Sequence, residues 1–532
     1  MSIPQSTIYI CENVRLNSRY EHTIYFADRA AQHNYFAGKV VKTFPAYSFI
    51  RKSWDLNVAA TMEDAASWAY LFFTNSANGK RYYYFIDNIE YVNDGTVKLK
   101  LQIDVLQTYL FDFDLLECFV DRQHVADDTR GANTVDEGLE CGDLIDNACV
   151  DLTGLENLCI LILASINPNY SDTGTPVQAM SGMFNGVFSG LSVWAVDSAD
   201  WGAWGSKLDD LAAAGFLDGI TSMWMYPKVL VTLGGENTWG DDVLCKVVQS
   251  ASVSPVYMSV PFNTASVGGY TPKNNKLLCY PYNFLYCSNN NGGSAVYKYE
   301  RFNDTAAKFA AYGAVSPDAP VLLVPNNYNG VEKNFDHGIV LGNFPACAWD
   351  ADVYKMWVAQ NQNQQKYDKS MAGVKIAAGA VAGIASAFTG NIAGVAAGAA
   401  TAFSGASQIG ANLAQKRDME IQPPQARGQF STNINLAAGK QTYTFYKKSV
   451  NAEHAKAIDD YFTMYGYKIN RVQKPNIHAR KSHTYVKTIG CHIDANLCNE
   501  DATKIEAIFD SGVTFWTNGD RIGQYTDDNS TL

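Results

Sequence analysis

Alternating hydrophobic and polar residues near the start of the chain predict a β-hairpin with one buried and one solvated face. Residues 82–92 form an aromatic, hydrophobic run that leads into a turn at 93–95. In the run that follows, one face carries Val97, Leu99, Leu101 and Ile103, and the other carries Lys98, Lys100, Gln102 and Asp104. We therefore predict that the first hundred residues are sheet, with one short helix over 61–69.

The middle of the chain, from about 115 to 345, contains short hydrophobic runs separated by Gly- and Asn-rich turns. Runs at 158–164, 228–233 and 321–324 are predicted strands, and glycines at 234–235 and 268–269 with the stretch 289–293 are predicted turns. One helix is predicted over 199–214. Short strands joined by such loops are typical of β-barrels and β-sandwiches.

Helical periodicity returns near the end of the chain. Asn451 is predicted to cap a helix that ends at Gly466 and buries Ala455, Ile458, Phe462 and Tyr465. Asn499 is predicted to cap a second helix that ends before Gly512 and buries Ala502, Ile505, Ile508 and Phe509. Strands are predicted at 468–472, 484–489 and 513–516, so this part of the chain is expected to be an α+β domain.

One segment has a different composition from the rest. Residues 376–415 contain no charged side chain and include 15 Ala and 7 Gly. Larger apolar side chains recur at helical spacing and are predicted to face lipid: Ile376, Val381, Ile384, Phe388, Ile392, Val395, Phe403, Ile409 and Leu413. Small residues at steps of four would let helices pack closely: Gly390, Gly394, Gly398, Ala402, Ala406 and Gly410.

Two interpretations of this segment stay open from its residues alone. A break near Gly390 would give a helical hairpin with arms of roughly 20 to 35 Å, against a hydrocarbon layer of about 30 Å. Its large apolar residues contribute only about −3 to −5 kcal/mol to insertion, so one copy is a poor anchor, whereas several copies held together could insert cooperatively. The alternative is a pair of Ala/Gly-rich helices buried within the protein.

Basic residues at the edges of the uncharged segment are predicted to contact lipid headgroups: Lys366, Lys369, Lys375, Lys416 and Arg417.

Composition narrows the class of protein. With 47% hydrophobic and 13% aromatic residues among 532, the chain is expected to fold rather than to be disordered. Its net charge of −12 argues against a general nucleic-acid binder. Its 11 cysteines form no CxxC motif and are predicted to be mostly buried thiols. The first residues lack a secretion signal, so we expect the protein to be made and folded in the cytoplasm.

A search for catalytic motifs gives no candidate for an active site. The HExxH, GxSxG, P-loop and GxGxxG patterns are absent, and we predict no enzyme activity, no metal site and no cofactor. The acidic pairs at 127–128 and 459–460 are interpreted as solvated surface. His478 and His483, near Arg480 and Lys481, are interpreted as an exposed polar loop, and Cys491 with Cys498 as a buried thiol pair.

Both ends of the chain resemble the distal tail tube, or tail knob, proteins of small phi29-like podoviruses. The N-terminal resemblance lies in YSFIR at 47–51, FIDNIEYVN at 85–93, CFVDRQHV at 118–125 and GANT at 131–134. The C-terminal resemblance lies in IDDYF at 458–462, GYKINRV at 466–472, KPN at 474–476 and GVTFW at 512–516. These motifs follow one another in matching order.

The resemblance implies a hexameric tube at the tip of a short, non-contractile tail. In that family, a hydrophobic loop from each subunit fills the lumen and then forms a channel in the host's cytoplasmic membrane. Residues 376–415 lie where such a loop belongs. The implied partners are further copies of the chain, other tail proteins of the proximal tube and tip, membrane lipids, and double-stranded DNA in passage, within a virion.

We therefore predict a mainly β fold of tail-tube-like barrel or sandwich domains with an inserted Ala/Gly-rich helical loop. Five segments are expected: a β tube domain over 1–115, a mixed β domain over 116–250, a β domain with Asn/Gly loops over 251–350, a helical excursion over 351–425 and an α+β domain over 426–532. The alternative functions are a purely structural or receptor-binding virion protein, and a glycan-degrading tail enzyme supported only by aromatic content.

Overall fold

The computed structural model describes eleven ranges of the chain: residues 6–47, 55–76, 79–164, 183–184, 187–188, 192–213, 220–239, 243–248, 255–313, 321–341 and 442–532. Contacts divide these residues into two units, each built from separate parts of the sequence. Unit 1 comprises the described residues within Met1–Leu144, Ala265–Tyr282 and Val450–Leu532. Unit 2 comprises the described residues within Ile145–Thr264 and Asn283–Ser449.

The strands are numbered in chain order. Strands β1 to β9 are Ser6–Glu12, His22–Ile24, Val40–Tyr47, Asp55–Val58, Trp68–Thr74, Arg81–Asn93, Thr96–Ile103, Phe113–Leu115 and Cys118–Gln123. Strands β10 to β17 are Leu144–Asp151, Leu158–Ala164, Met183–Phe184, Val187–Phe188, Ser192–Asp197, Ile220–Pro227, Leu233–Trp239 and Val243–Val248. Strands β18 to β24 are Val256–Pro261, Asn283–Ser288, Ser294–Tyr297, Ala306–Tyr312, Leu322–Asn326, Ile339–Val340 and Thr444–Val450. Strands β25 to β28 are Tyr467–Gln473, His483–Ile489, Ile493–Ala495 and Val513–Trp516.

The helices α1 to α6 are Arg29–Ala37, Met62–Ala65, Val105–Tyr109, Trp201–Ala213, Ala452–Tyr465 and Asn499–Ser511. Short 3-10 helices are Ser198–Asp200, Lys228–Leu230, Asn275–Leu278, Tyr299–Arg301, Phe335–His337 and Gly519–Arg521. The mainly β fold predicted from the sequence is confirmed. The inserted helical loop of that prediction lies outside the described residues.

Unit 1 contains a six-stranded sheet in the order β3-β1-β5-β6-β7-β4, in which neighbouring strands are antiparallel. A five-stranded sheet, β2-β28-β26-β9-β25, brings strands from both ends of the chain together. Strands β8 and β27 form a further pair. The predicted α+β part is therefore completed by residues from the first quarter of the chain, which hydrophobic periodicity does not reveal.

The predicted hairpin is strands β6 and β7, and its predicted inner residues Val97, Leu99, Leu101 and Ile103 are buried. The prediction for Asp104 is wrong, because this carboxylate is buried at the N-terminus of α3. It accepts hydrogen bonds from Tyr70 Oη at 2.8 Å and from the Gln107 amide at 3.0 Å. Burial raises the pKa of Asp104 to about 7.

Several local predictions in unit 1 need correction. Helix α1, capped by Asp28, was not predicted, because its buried positions are few and one of them is Gln32. Helix α2 has four residues and does not reach residue 69, because Trp68 already begins β5. Helices α5 and α6 end at Gly466 and Gly512 as predicted. Asn451 caps α5 as predicted, but the N-cap of α6 is Cys498, and Tyr465 is 37% exposed.

Unit 2 contains a five-stranded sheet in the order β15-β11-β14-β17-β16, a four-stranded sheet β18-β21-β22-β23 and a four-stranded sheet β10-β24-β19-β20. Strands β12 and β13 form a further pair. The unit shares one core, in which Trp194, Trp201, Trp204, Tyr226 and Tyr297 are among the largest buried side chains. The predicted strand over 228–233 is wrong, because Lys228–Leu230 is a 3-10 helix and β16 begins only at Leu233.

The five segments of the sequence-based division follow one another along the chain, whereas both observed units are discontinuous. The pattern of hydrophobic residues indicates where an element begins and ends. It contains no information on which distant elements pair. The grouping of residues into units is therefore decided by pairings such as β9 with β25 and β19 with β24.

Candidate functional site at the root of the uncharged segment

The residues predicted to contact membrane and to pack helices all lie between Lys366 and Arg417, outside the described residues. What the structure describes is the part of unit 2 on either side of residues 342–441. We define the root as Ile339–Val340 with Leu341 on the outgoing side, and Thr442, Tyr443 and β24 on the returning side. Residues 342–441 connect the two sides.

The two sides of the root share one hydrogen-bond acceptor. The backbone N–H of Leu341 donates to the carbonyl oxygen of Val321 at 2.8 Å. The hydroxyl oxygen of Tyr443 lies 2.8 Å from that same carbonyl oxygen and 2.8 Å from the carbonyl oxygen of Ile339. The described residues that flank the hundred-residue connection therefore meet at one point of unit 2.

Tyr443 is the side chain that joins the two sides. It is fully buried, and burial raises its pKa far above the ordinary range for tyrosine. The hydroxyl is therefore neutral at every physiological pH and remains a hydrogen-bond donor. The hydrophobic pattern did not single out Tyr443. Tyr443 reads in the sequence as one of 31 tyrosines, and no local signal distinguishes it.

The returning side is also held from strand β10 and the residue that follows it. The backbone N–H of Leu152 donates to the carbonyl oxygen of Tyr443 at 2.9 Å, and the Thr442 hydroxyl donates to the carbonyl oxygen of Leu152 at 2.6 Å. The Thr444 hydroxyl donates to Asp151 Oδ1 at 2.6 Å. The root is thus a hydrogen-bonded, largely buried attachment, rather than a pair of loose ends.

Two polar clusters that the sequence analysis assigned to the surface lie inside unit 1. Asp459 is fully buried and accepts hydrogen bonds from Tyr270 Oη at 2.9 Å and from the backbone N–H groups of Lys273 at 2.8 Å and Asn274 at 3.1 Å. Asp460, its neighbour, is not buried and lies 3.9 Å from Lys273 Nζ. The surface interpretation is therefore wrong for Asp459. Adjacent residues of a helix point in different directions, so one is buried and one is not.

The second cluster contains His483 and Arg480, which were interpreted as an exposed loop and are buried. His124 Nε2 and His483 Nε2 lie 3.1 Å and 2.8 Å from the same carbonyl oxygen of Thr463. The backbone N–H of Tyr485 donates to His124 Nδ1 at 2.7 Å, so His124 is neutral and carries its proton on Nε2. Burial lowers the pKa of both imidazoles, and the positive charge of Arg480 lowers them further.

The cysteine predictions are confirmed in part. Cys11, Cys118, Cys159, Cys279, Cys287 and Cys491 are buried, as predicted for most of the thiols. Cys498 is exposed, so the predicted buried pair of Cys491 and Cys498 is wrong. Within the described ranges, three or more His, Cys, Asp or Glu side chains nowhere come together as metal ligands would.

Two families match the chain. The N-terminal family, described as Caudoviral major tail protein N-terminus, matches residues 4–114. The family described as Bacillus phage phi29, Tail knob protein gp9, C-terminal domain, matches residues 248–530, which is more than half of the chain. The chain belongs to the phi29 gp9 tail knob family. It is therefore a structural component of a bacteriophage tail.

Relatives of this tail knob chain match along almost its whole length. It is 25% identical over 596 aligned positions to the tail knob protein gp9 of Bacillus phage phi29, with 98% of each chain covered. It is 25% identical to tail knob protein gp9 of Bacillus phage B103, with 98% of this chain and 97% of the relative covered. The resemblance stated from the end motifs is confirmed.

A solved structure shares the fold of the tail knob chain. The bacteriophage C1 tail knob protein gp12 superposes with a TM-score of 0.66 and 14% sequence identity, covering 99% of this chain and 100% of that one. In the part of the tail knob chain that the structure describes, no helix combines the length and the apolar character needed to cross a membrane. Residues 376–415 lie outside the described part of the chain.

The neutral histidines predict that unit 1 of the tail knob protein loses stability in acid. Below about pH 6.5 the unfolded chain binds protons at both imidazoles, whereas the folded chain, in which both pKa values are lowered, binds fewer, so the free energy of unfolding falls as pH falls. Each histidine contributes up to about 1.4 kcal/mol per pH unit. We expect His483→Gln to reduce the loss of unfolding free energy between pH 7 and pH 5.5, measured by urea denaturation.

The same measurement on His492→Gln, at an exposed histidine, is the control. Asp104 and Asp128 have raised pKa values and change stability with pH in the opposite direction. Both groups are present in every variant, so the difference between variants reports on the histidine. If His483→Gln is as acid-sensitive as the control, His483 is not neutral in the folded protein.

Proposed function

We propose that this tail knob protein forms a hexameric tube at the tip of the tail, and that residues 376–415 of each copy plug the lumen and then insert into the host membrane as a channel for DNA. The observation that carries the proposal is the uncharged segment of forty residues. It belongs to a connection whose two ends are held at one point of unit 2. A connection attached in this way can move without separating the strands on either side of it.

The energetics of the segment favour insertion as a group. Its nine large apolar residues give about −3 to −5 kcal/mol, and Asn391, Gln408 and Asn412 reduce this sum. A single copy would therefore be a poor membrane anchor. Six copies held by one tube have a high effective concentration, and the row from Gly390 to Gly410 allows their backbones to pack closely enough to hide polar atoms from lipid.

Charge supports a role as a conduit. Each copy carries a net charge of −12, so a hexameric tube would repel the phosphates of double-stranded DNA rather than bind them. A tube also pairs or covers sheet edges that β-rich subunits otherwise expose. We propose other tail proteins and membrane lipids as the remaining partners, with Lys366, Lys369, Lys375, Lys416 and Arg417 at the headgroups.

A peptide spanning residues 371–417 tests the membrane step. We expect it to release dye from liposomes, and we expect the release to increase more than proportionally with the density of peptide on the membrane. The control peptide has the same composition in an order that removes the four-residue spacing of small residues. We expect the control to need a higher density for the same release, because its helices cannot approach as closely.

Inert peptide at every density would contradict the membrane step. That result would favour the second candidate, a purely structural or receptor-binding tail protein in which the segment stays internal. The low number of large apolar residues in the segment is the observation on that side. The hexamer is tested separately, by viewing the isolated oligomer down its axis in electron micrographs. A ring of any number other than six contradicts that part.

A further inference from the structure

The Asn-rich turn between β19 and β20 lies beside the root. Residues 289–293 read Asn-Asn-Asn-Gly-Gly, which the sequence analysis interpreted only as a turn. The structure confirms the turn, since the backbone N–H of Asn289 donates to the carbonyl oxygen of Gly293 at 3.0 Å. The side chains of its first two residues, however, point to the two sides of the root.

Asn289 binds the outgoing side. Its Oδ1 accepts from the backbone N–H groups of Asn291 and Gly293, both at 2.8 Å, which fixes the orientation of the amide group. Its Nδ2 then donates to the carbonyl oxygen of Val340 at 2.7 Å. Only 8% of Asn289 is exposed, so water competes little for this hydrogen bond.

Asn290 binds the returning side. Its Nδ2 donates to the carbonyl oxygen of Thr442 at 2.9 Å and to the hydroxyl oxygen of Thr444 at 2.9 Å. The residue has a φ of 56°, a left-handed conformation that asparagine tolerates better than most residues. This conformation lets the two consecutive side chains reach both sides of the root. In a regular strand, consecutive side chains would point to opposite faces of the sheet.

The glycine at position 293 fits the same arrangement. A Cβ atom there would lie 2.5 Å from Asn289 Nδ2 and 3.0 Å from Asn289 Cγ. Any larger residue would push the Asn289 amide out of its position against Val340. Glycine at position 293 therefore keeps space for the Asn289 amide, in addition to suiting a turn.

We infer that Asn289 and Asn290 form a clasp that fixes both sides of the root, so that residues 339–341 and 442–444 keep their positions when the chain between them moves. The movement of the chain between them is part of the proposed function, and the inference rests on that proposal. The clasp is the device that confines the movement to the connection. The three hydrogen bonds that the two Nδ2 groups donate to the root end on the carbonyl oxygens of Val340 and Thr442 and on the hydroxyl oxygen of Thr444.

The test uses hydrogen exchange of backbone amides in the full-length oligomer, with and without liposomes. In the wild-type protein, we expect the amides of residues 339–341 and 443–446 to keep their protection when liposomes are added. In the double variant Asn289→Asp, Asn290→Asp, a carboxylate oxygen replaces each donating Nδ2 and faces a carbonyl oxygen. We expect these amides to exchange about tenfold faster or more, on both sides of the root.

Asn291→Asp is the matched control, because the same substitution falls in the same turn at an exposed side chain. It should exchange like the wild type. The clasp is ruled out if the double variant exchanges like Asn291→Asp, or if wild-type protection at the root disappears when liposomes are added. Dye release by the wild-type oligomer is recorded in the same samples. Without dye release the proposed function fails, while the comparison of the variants still decides whether the clasp holds the root.

Discussion

Ile384→Asp will leave the tail assembled and will abolish genome delivery. A carboxylate near the centre of a bilayer costs about 2.5 to 3.5 kcal/mol, which is comparable with the whole favourable sum for one copy of residues 376–415. In the proposed hexamer the cost recurs in every copy, so the proposed insertion becomes unfavourable for the assembly. We expect a fall of several orders of magnitude in infective titre, measured at equal particle number counted by electron microscopy.

The matched control is Gln364→Asp, which adds the same charge to the flanking sequence outside the uncharged segment. We expect its titre to stay close to that of the wild type. DNA entry is measured directly, by quantifying phage DNA inside cells after external DNA has been degraded. If Ile384→Asp particles deliver DNA as well as Gln364→Asp particles, the segment does not enter the membrane and the proposed function is wrong.

Gly466→Ala will unfold unit 1 or prevent its folding. Gly466 ends helix α5 with a φ of 65° and a ψ of −152°, a conformation that is essentially restricted to glycine. A Cβ atom there would lie 2.3 Å from the carbonyl carbon and oxygen of Gln123 and 2.4 Å from the His124 nitrogen. These are backbone atoms of the neighbouring strand region, so no side-chain rotation relieves the clash.

We expect Gly466→Ala to lower the free energy of unfolding of unit 1 by about 4 kcal/mol or more, because strain adds to displacement of β9 from β25. Gly490→Ala is the control, since Gly490 also has a positive φ, 67°, but among the described residues no atom beyond its two chain neighbours lies within 4 Å of its Cβ position. Its expected cost is about 1 to 2 kcal/mol. Soluble yield and urea denaturation measure both. Equal losses in the two variants would show that the close approach to Gln123 is unimportant.

Local periodicity was enough to place many elements of this protein. The hairpin of β6 and β7, strand β11 and the ends of helices α5 and α6 lie where the sequence predicts them. Each of these depends on interactions between residues close in the sequence: alternation along a strand, a capping side chain, or a glycine after the last turn. The tail knob family was also recognisable from the order of short motifs near both ends.

The root and its clasp were not predictable in the same way. Asn289 and Asn290 read as ordinary turn residues, and their partners Val340 and Thr442 are 51 and 152 residues away along the chain. Nothing in the local pattern relates these positions. The membrane role of the uncharged segment was inferred from its composition, and that role stays a prediction, which the experiments above test.

Sequence alone determined that this chain is rich in strands, that it carries one uncharged small-residue segment, and where helices α5 and α6 end. Tertiary structure decided which polar residues are buried: Asp459, His483 and Arg480 read as surface and lie inside unit 1. The physical reason is that a polar group can be buried wherever distant backbone groups satisfy it. Thr463 does this for His124 across 339 residues of sequence, a distance over which hydrophobic periodicity carries no information.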